Sequence, residues 1–289
     1  MIDEQEALAA WELAPRCCRP DHGCCNYHRI WPFLRYLLPP KAVFGAEEIT
    51  REVVALANAD ARILICGAAD SAVLDIVLGA CRSLPNPPAV DIIERCETAC
   101  KVLRLYKDRH QASFNIINGD FVESSALYKD ANSPYQMIVA HNILGQIPGD
   151  LRSTVCTNWG LMASEGARLM LVQTLYPNDD AWLQPNAERN IQTAIDSVAE
   201  GLRNHDISAA MSKEVLEVAE QFWQGSHRQA PALTHRSVIA LLAGAGFDCE
   251  QVDKDNEDQR GPASAGVVRA DDRSRCLFSA VRCSYQVNL

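Results

Sequence analysis

The sequence predicts an α/β protein built on an open, mostly parallel sheet, and three observations predict it. First, apolar runs of strand length alternate with helical patterns from Ala61 onward. Second, the run Ile63-Leu64-Ile65-Cys66 ends in a turn of small residues, Gly67-Ala68-Ala69. It then leads through Asp70 into a helix carrying Leu74, Ile76, Val77 and Leu78. Third, acidic residues recur where later strands end, at Glu94 and Asp120. Strand, tight turn and helix at the carboxyl end of a first strand is how open α/β sheets build a nucleotide pocket. Small residues let the backbone approach a ligand, and the helix N-terminus offers free N–H groups.

The elements follow in order. The stretch AVDIIERCETACKVL is a second strand ending in Glu94 and then a helix, after a loop at Ser83 to Ala89. An acid at this place commonly accepts hydrogen bonds from ribose hydroxyls. FNIINGDF is a third strand running to Gly119, Asp120 and Phe121. An acid there suits an exocyclic amine, and an aromatic suits a ring face. YQMIVAHNILGQIP is a fourth strand ending at His141 and Asn142, and LMASEGARLMLVQTL gives a turn at Glu165–Gly166 and a fifth strand. VIALLAGAGFDCEQVD reads as helix, turn and strand, and CLFSAVRCSYQV as a last strand. The polar stretch Lys254 to Ser274 is expected to be a long loop between the last two strands.

Only one glycine stands in the first turn, so the G-x-G-x-x-G fingerprint of dinucleotide binding is missing. A pyrophosphate wants those glycines, whereas a ligand without phosphates tolerates Ala69 and Ser71. The serial order ILICGAAD, DIIER, NGDF, the post-strand HN, SEGARLML and AGAGF resembles the class I (Rossmann-like) methyltransferases that use S-adenosylmethionine (SAM). The resemblance runs from Arg62 to the C-terminus. It implies a seven-stranded sheet whose last strand is antiparallel and inserted beside the fifth, and SAM as cofactor. It carries the methionine end onto Gly67, Ala68 and Ala69, the ribose onto Glu94, and adenine onto Asp120 and Phe121. Asp70, Arg95, Gly119 and His141 complete the implied cofactor set. The sequence departs from the family pattern at Cys66, where an acid usually precedes the glycine turn.

Composition fits this reading. The 289 residues suffice for one α/β domain of about 200 residues plus appendages. A net charge of −10 argues against a nucleic-acid partner. No apolar run reaches the length of about 18 residues needed for a membrane span, and the acidic N-terminus lacks an apolar signal core. A cytoplasmic protein is expected, and a homodimer is compatible with the chain.

The appendages bear on the substrate. Residues 1–60 read as an N-terminal helical cap and 61–289 as the SAM-binding domain, with a helical lid insertion at 177–230. Trp31, Leu34, Leu37 and Leu38 form one apolar helical face ended by Pro39–Pro40. A second helix is expected to bury Ile49, Val53, Val54 and Leu56. Arg16, Arg19, Arg29, Arg35 and Lys41 make this region locally basic, a candidate wall for an anion or else a set of ion pairs. In the insertion, Ser212 is the expected N-cap of the second helix. Tyr27, His28, Trp31, Asn142 and His227 are the candidate substrate contacts, with Arg228 and His235 nearby.

The chemistry implied by the resemblance is methyl transfer to an O or N atom of a small molecule. The protein's share is alignment and exclusion of water, and such acceptors often need a base. His141 is the candidate base by position. Of the twelve cysteines, Cys66, Cys81, Cys96, Cys249, Cys276 and Cys283 read as small buried hydrophobes. Cys17, Cys18, His22, Cys24, Cys25 and His28 cluster, but no C-x-x-C pair is present. A turn-rich approach to a helix is therefore expected there, with no metal. Three other functions compete. The thiols of Cys17, Cys18, Cys24, Cys25 and Cys156 could hold a metalloid acceptor. The reduced glycine turn also suits a binding protein without catalysis. An NAD oxidoreductase lacks both its glycines and a Tyr-x-x-x-Lys pair.

Overall fold

The computed structural model describes residues 3–37, 43–56, 60–123, 134–176, 187–205, 207–226, 233–254 and 274–283. Helices α1 (Glu4–Cys17) and α2 (Cys25–Leu37) pack against each other, joined by a 3-10 turn at Pro20–His22. Asp3 caps α1 by accepting the Glu6 amide at 3.0 Å. Then come α3 (Ala46–Ala55), β1 (Arg62–Cys66), α4 (Ala72–Cys81), β2 (Ala89–Glu94), α5 (Glu97–His110) and β3 (Asn115–Asn118). The second half holds β4 (Tyr135–His141), α6 (Arg152–Met162), β5 (Ala163–Leu175), α7 (Ala187–Asn204) and α8 (Ala209–Ser226). It closes with α9 (His235–Gly244), β6 (Phe247–Lys254) and β7 (Ser274–Arg282).

The sheet order is β3-β2-β1-β4-β5-β7-β6. β7 runs antiparallel between β5 and β6, and the other pairings are parallel, as the resemblance implies. β1 is apolar from Ile63 to Cys66 because both of its faces are covered. Leu64 and Cys66 face the α6–α9 layer with Trp159 and Leu242, whereas Ile63 and Ile65 face α3, α4 and α5 with Val53, Leu74 and Leu103. A third cluster joins Trp11, Ile30, Phe33 and Leu37 of the N-terminal helices to Val198 of α7 and Val215 and Trp223 of α8.

Several local expectations change. In α3, Ile49 and Val53 are fully buried, but Val54 is 42% exposed because it lies a third of a turn round from Val53. The turn at Glu165–Gly166 sits inside β5, where Gly166 takes φ 73° and the pairing with β4 shifts register, so the strand bulges without ending. α8 begins at Ala209, and the Ser208 hydroxyl accepts the Met211 amide at 3.3 Å; Ser212 lies within the helix. Thr234 caps α9 in a capping box with Ser237, and His235 is the first residue of that helix. The expectations for Leu38, Pro39–Pro40, Lys41, His227 and Arg228, and for the loop interior at 255–273, lie outside the described residues. No helix among the described residues is long and apolar enough to cross a membrane.

Candidate functional site at the carboxyl edge of the sheet

From β1 the chain moves outward to β2 and β3, then returns to β4 on the other side of β1. The switch point between β1 and β4 is where open α/β sheets bind ligands. Gly67 makes the first turn with φ 72°, and its amide donates to Ile93 O at 2.9 Å. A methyl at this position would stand 2.7 Å from Ile143 Cδ1, a flexible side-chain end that can give way, so it is the left-handed backbone that favours glycine after β1. Ala69 is half-buried in the same turn.

Glu94 is buried at the end of β2 and bridges two backbones. One oxygen accepts the Ala68 amide at 3.0 Å and the other the Cys96 amide at 2.8 Å. Arg95 lies beside it, 3.6 Å from the Asp120 carboxylate. Asp120 also accepts the Val122 amide at 2.8 Å, and the Gly119 amide donates to Glu94 O at 3.1 Å. Glu94, Arg95, Gly119 and Asp120 are thus brought together at one edge. Phe121 departs from them. It is 3% exposed in the core, with its carbonyl accepting from Asn158.

α2 covers this edge. Tyr27, Trp31 and Arg35 succeed one another at intervals of four residues, so they share one face of the helix. Tyr27 stacks on Trp31 at 5.9 Å and meets Phe222 of α8 at 6.0 Å. The Arg35 guanidinium lies 5.8 Å from the Trp31 ring centre, and its Nε is 3.3 Å from Asp70 Oδ2. Burial pushes the Tyr27 hydroxyl pKa up, and the charges of Asp70 and Glu94 push it the same way. The other oxygen of Asp70 accepts the Ala72 amide at 2.9 Å, capping α4.

His141 closes β4. Burial holds its pKa down to about 3, and the positive charges of Arg35 and Arg275 add to the effect. Its ring is therefore neutral at physiological pH, an acceptor rather than a cation. Arg35 Nε and Asp70 Oδ2 are buried and face each other as an ion pair without hydrogen-bond alignment, whereas His141 Nε2 is buried with no hydrogen-bond partner among the described residues. Buried polar atoms are normally satisfied, so the unpartnered His141 Nε2 beside this ion pair marks a place for a polar ligand at the switch point. Asn142 does structural work: with φ 57°, its carboxamide oxygen accepts the Thr174 amide at 2.8 Å and ties β4 to β5. His235 lies against Phe278 at 5.6 Å.

His28 is buried on another face of α2. Its Nδ1 is 3.6 Å from Cys18 Sγ, in a group completed by Cys24 and Cys96. Burial opposes charge on His28, but the thiols of Cys24 and Cys96 outweigh it, and its pKa rises to about 10. Three residues escaped the sequence reading of the site. Glu6 of α1 reaches the N-terminus of α4, where its carboxylate accepts both the amide and the hydroxyl of Ser71. Cys96 joins the cysteine group, and Gln173 buries an unpaired oxygen near the end of β5. Of the basic residues of the N-terminal segment, Arg35 alone among those described is placed at the edge by a contact with the turn after β1. Arg29 covers Trp11 and pairs with Glu214, and Arg19 pairs with Asp21.

No protein-family model and no curated protein matches the sequence. The structure is similar to solved ones. A protein of Galdieria sulphuraria assigned as a sarcosine dimethylglycine methyltransferase is 10% identical, over 82% of this chain and 85% of that one, with a TM-score of 0.54. A protein of Bacillus halodurans assigned as a methyltransferase is 11% identical, over 83% and 99%, with a TM-score of 0.51. The cyclase SpnF is 10% identical, over 82% and 80%, with a TM-score of 0.51. The chain has the fold of the class I methyltransferases.

Proposed function

We propose that this chain is a SAM-dependent methyltransferase whose acceptor is an oxygen or nitrogen atom of a small molecule. One observation carries the reading: the unpartnered His141 Nε2 beside the buried Arg35–Asp70 ion pair at the β1–β4 switch point. The fold alone would not suffice, because one scaffold hosts unrelated chemistries and a cyclase is among the similar structures.

The residues fit the cofactor. The Gly67-Ala68-Ala69 turn would take its methionine end, Glu94 retains lone pairs for ribose hydroxyls, and Asp120 stands where an adenine amine would bind. When bound, SAM supplies an electrophilic methyl group. The chain's own residues would do the rest. His141, neutral and lacking a partner, accepts a hydrogen bond at Nε2 from the acceptor's O–H or N–H and so aims its lone pair. Arg35 and Asp70 hold polar groups of the bound molecules. Tyr27, Trp31 and Phe222 wall the edge with aromatic surface and exclude water. An aromatic wall of this kind suits a small, partly apolar acceptor. On this reading the α1–α2 and α7–α8 helices act as the lid.

The test uses SAM carrying a labelled methyl group, incubated with the reduced protein and a panel of small phenols, alcohols and amines. Label in a small-molecule product is expected. Label found only in added protein or RNA would contradict the acceptor class.

A further inference from the structure

Cys18, Cys24, His28 and Cys96 stand apart from the chemistry above, and the described structure gives them no other task. Their ligand atoms all lie within 4.8 Å of one another. Three segments supply them. Cys18 directly follows α1, Cys24 precedes α2, His28 sits one turn into α2, and Cys96 caps α5 just past the end of β2.

Three of the six separations match a tetrahedral coordination sphere, and all six lie within 4.8 Å. Tetrahedral zinc with Zn–S of about 2.3 Å and Zn–N of about 2.0–2.1 Å sets sulfurs about 3.8 Å apart and sulfur and nitrogen about 3.6 Å apart. Here Cys24 Sγ is 3.8 Å and Cys18 Sγ 3.6 Å from Cys96 Sγ, and Cys18 Sγ is 3.6 Å from His28 Nδ1. A disulfide needs sulfurs at about 2.0 Å, so no pair here is bonded. Packing of small hydrophobes does not account for a buried imidazole aimed among three sulfurs. The environment also suits thiolates. The Cys96 sulfur stands at the N-terminus of α5, and Cys24 immediately precedes α2, its carbonyl accepting the His28 amide at 3.0 Å. Thr98 Oγ1 lies 3.1 Å from Cys18 Sγ, an outer partner that fixes the sulfur's direction.

We infer that Cys18, Cys24, His28 and Cys96 bind one zinc ion in a closed tetrahedral site that pins the N-terminal helices to the end of β2. Four protein ligands leave no open position, so the ion is structural and takes no part in turnover. Its place is informative. Cys96 follows Glu94 by two residues and gives its amide to the Glu94 carboxylate. The ion would therefore fix α2, with Tyr27, Trp31 and Arg35, over the edge where the candidate cofactor residues lie. Each of the three segments supplies ligands that the others lack, so the site forms only when the cap is docked.

The full chain, purified under reducing conditions with neither metal nor chelator added, is expected to contain about one zinc per chain by elemental mass spectrometry. Chelation should release the ion and expose three additional fast-reacting thiols. Refilling the apo protein with cobalt should give the intense visible bands of a tetrahedral thiolate complex. These readings on the wild type do not depend on a variant folding. Cys96→Ser and His28→Ala should lose the zinc with the sheet's circular dichroism retained, while Cys25→Ser and Cys283→Ser should keep it. A metal-free wild type that also fails to bind added zinc would overturn the inference. So would an octahedral cobalt spectrum, a disulfide joining two of the three cysteines in unreduced protein, or full zinc retention in Cys96→Ser. No cofactor is present in any of these measurements, so their outcome is independent of the proposed methyl transfer.

Discussion

Glu6 closes the N-terminus of α4 by accepting the Ser71 amide at 2.9 Å and the Ser71 hydroxyl at 2.8 Å. This contact fastens α1 to the turn that follows β1. Burial pushes the Glu6 pKa up to about 7; the Ser71 hydrogen bonds oppose the rise and the neighbouring Asp70 charge adds to it. A carboxyl group raised in the folded state gives stability that is complete below its unfolded pKa. That stability is lost as pH climbs through the folded one. Relative to Glu6→Gln, the wild type should lose about 2–3 kcal/mol between pH 4.5 and pH 7.5. Urea unfolding of both proteins across that range checks it; a difference constant with pH would contradict it.

Glu94 and Asp120 define the proposed ribose and adenine ends. Glu94→Ala and Asp120→Ala should each weaken SAM binding by about 1–3 kcal/mol, as expected for losing a hydrogen bond to a charged group. Calorimetric titration of each variant reads this directly. Unchanged affinity in both would place the pocket elsewhere.

His141 is held neutral, with a pKa near 3. Replacement by Ala should lower kcat/KM by about 100-fold or more while leaving thermal unfolding nearly unchanged. The wild-type pH–rate profile should show no imidazole inflection between pH 5 and pH 8. Such an inflection, abolished by His141→Ala, would mean that the ring titrates there as a free base.

Gly67 has φ 72°, and a Cβ there would press on Ile143. Gly67→Ala should cost about 1–3 kcal/mol, part from the backbone and part from the contact. Adding Ile143→Ala should relieve only the contact part, which a double-mutant cycle in urea unfolding separates. Full recovery in the double variant would show that the backbone conformation carries no cost.

The sheet was legible because period and punctuation agree along it. β1 reads as a buried central strand from Ile63-Leu64-Ile65, and Gly67 marks the turn whose left-handed backbone favours glycine. The insertion of β7 beside β5 came from resemblance, since no local pattern encodes strand order. At the site, Glu94 and Asp120 were legible as acids ending strands. Phe121 was not, because an aromatic after a strand can as well turn into the core, and here it does. Arg35 could be read as basic but not assigned a partner, because Asp70 is distant in sequence. Cys96 was hidden for the same reason. It lies 78 residues from Cys18, with no paired motif, and the docking of α1 and α2 on β2 and α5 alone brings the sulfurs together.

The central claim is that the carboxyl edge of this sheet takes SAM. Calorimetric titration of the reduced protein with SAM, with NAD as control, tests it most directly. Saturable binding of SAM at micromolar strength, about −8 kcal/mol, with no heat from NAD is the predicted result. Failure of SAM to bind zinc-replete, folded protein would contradict it.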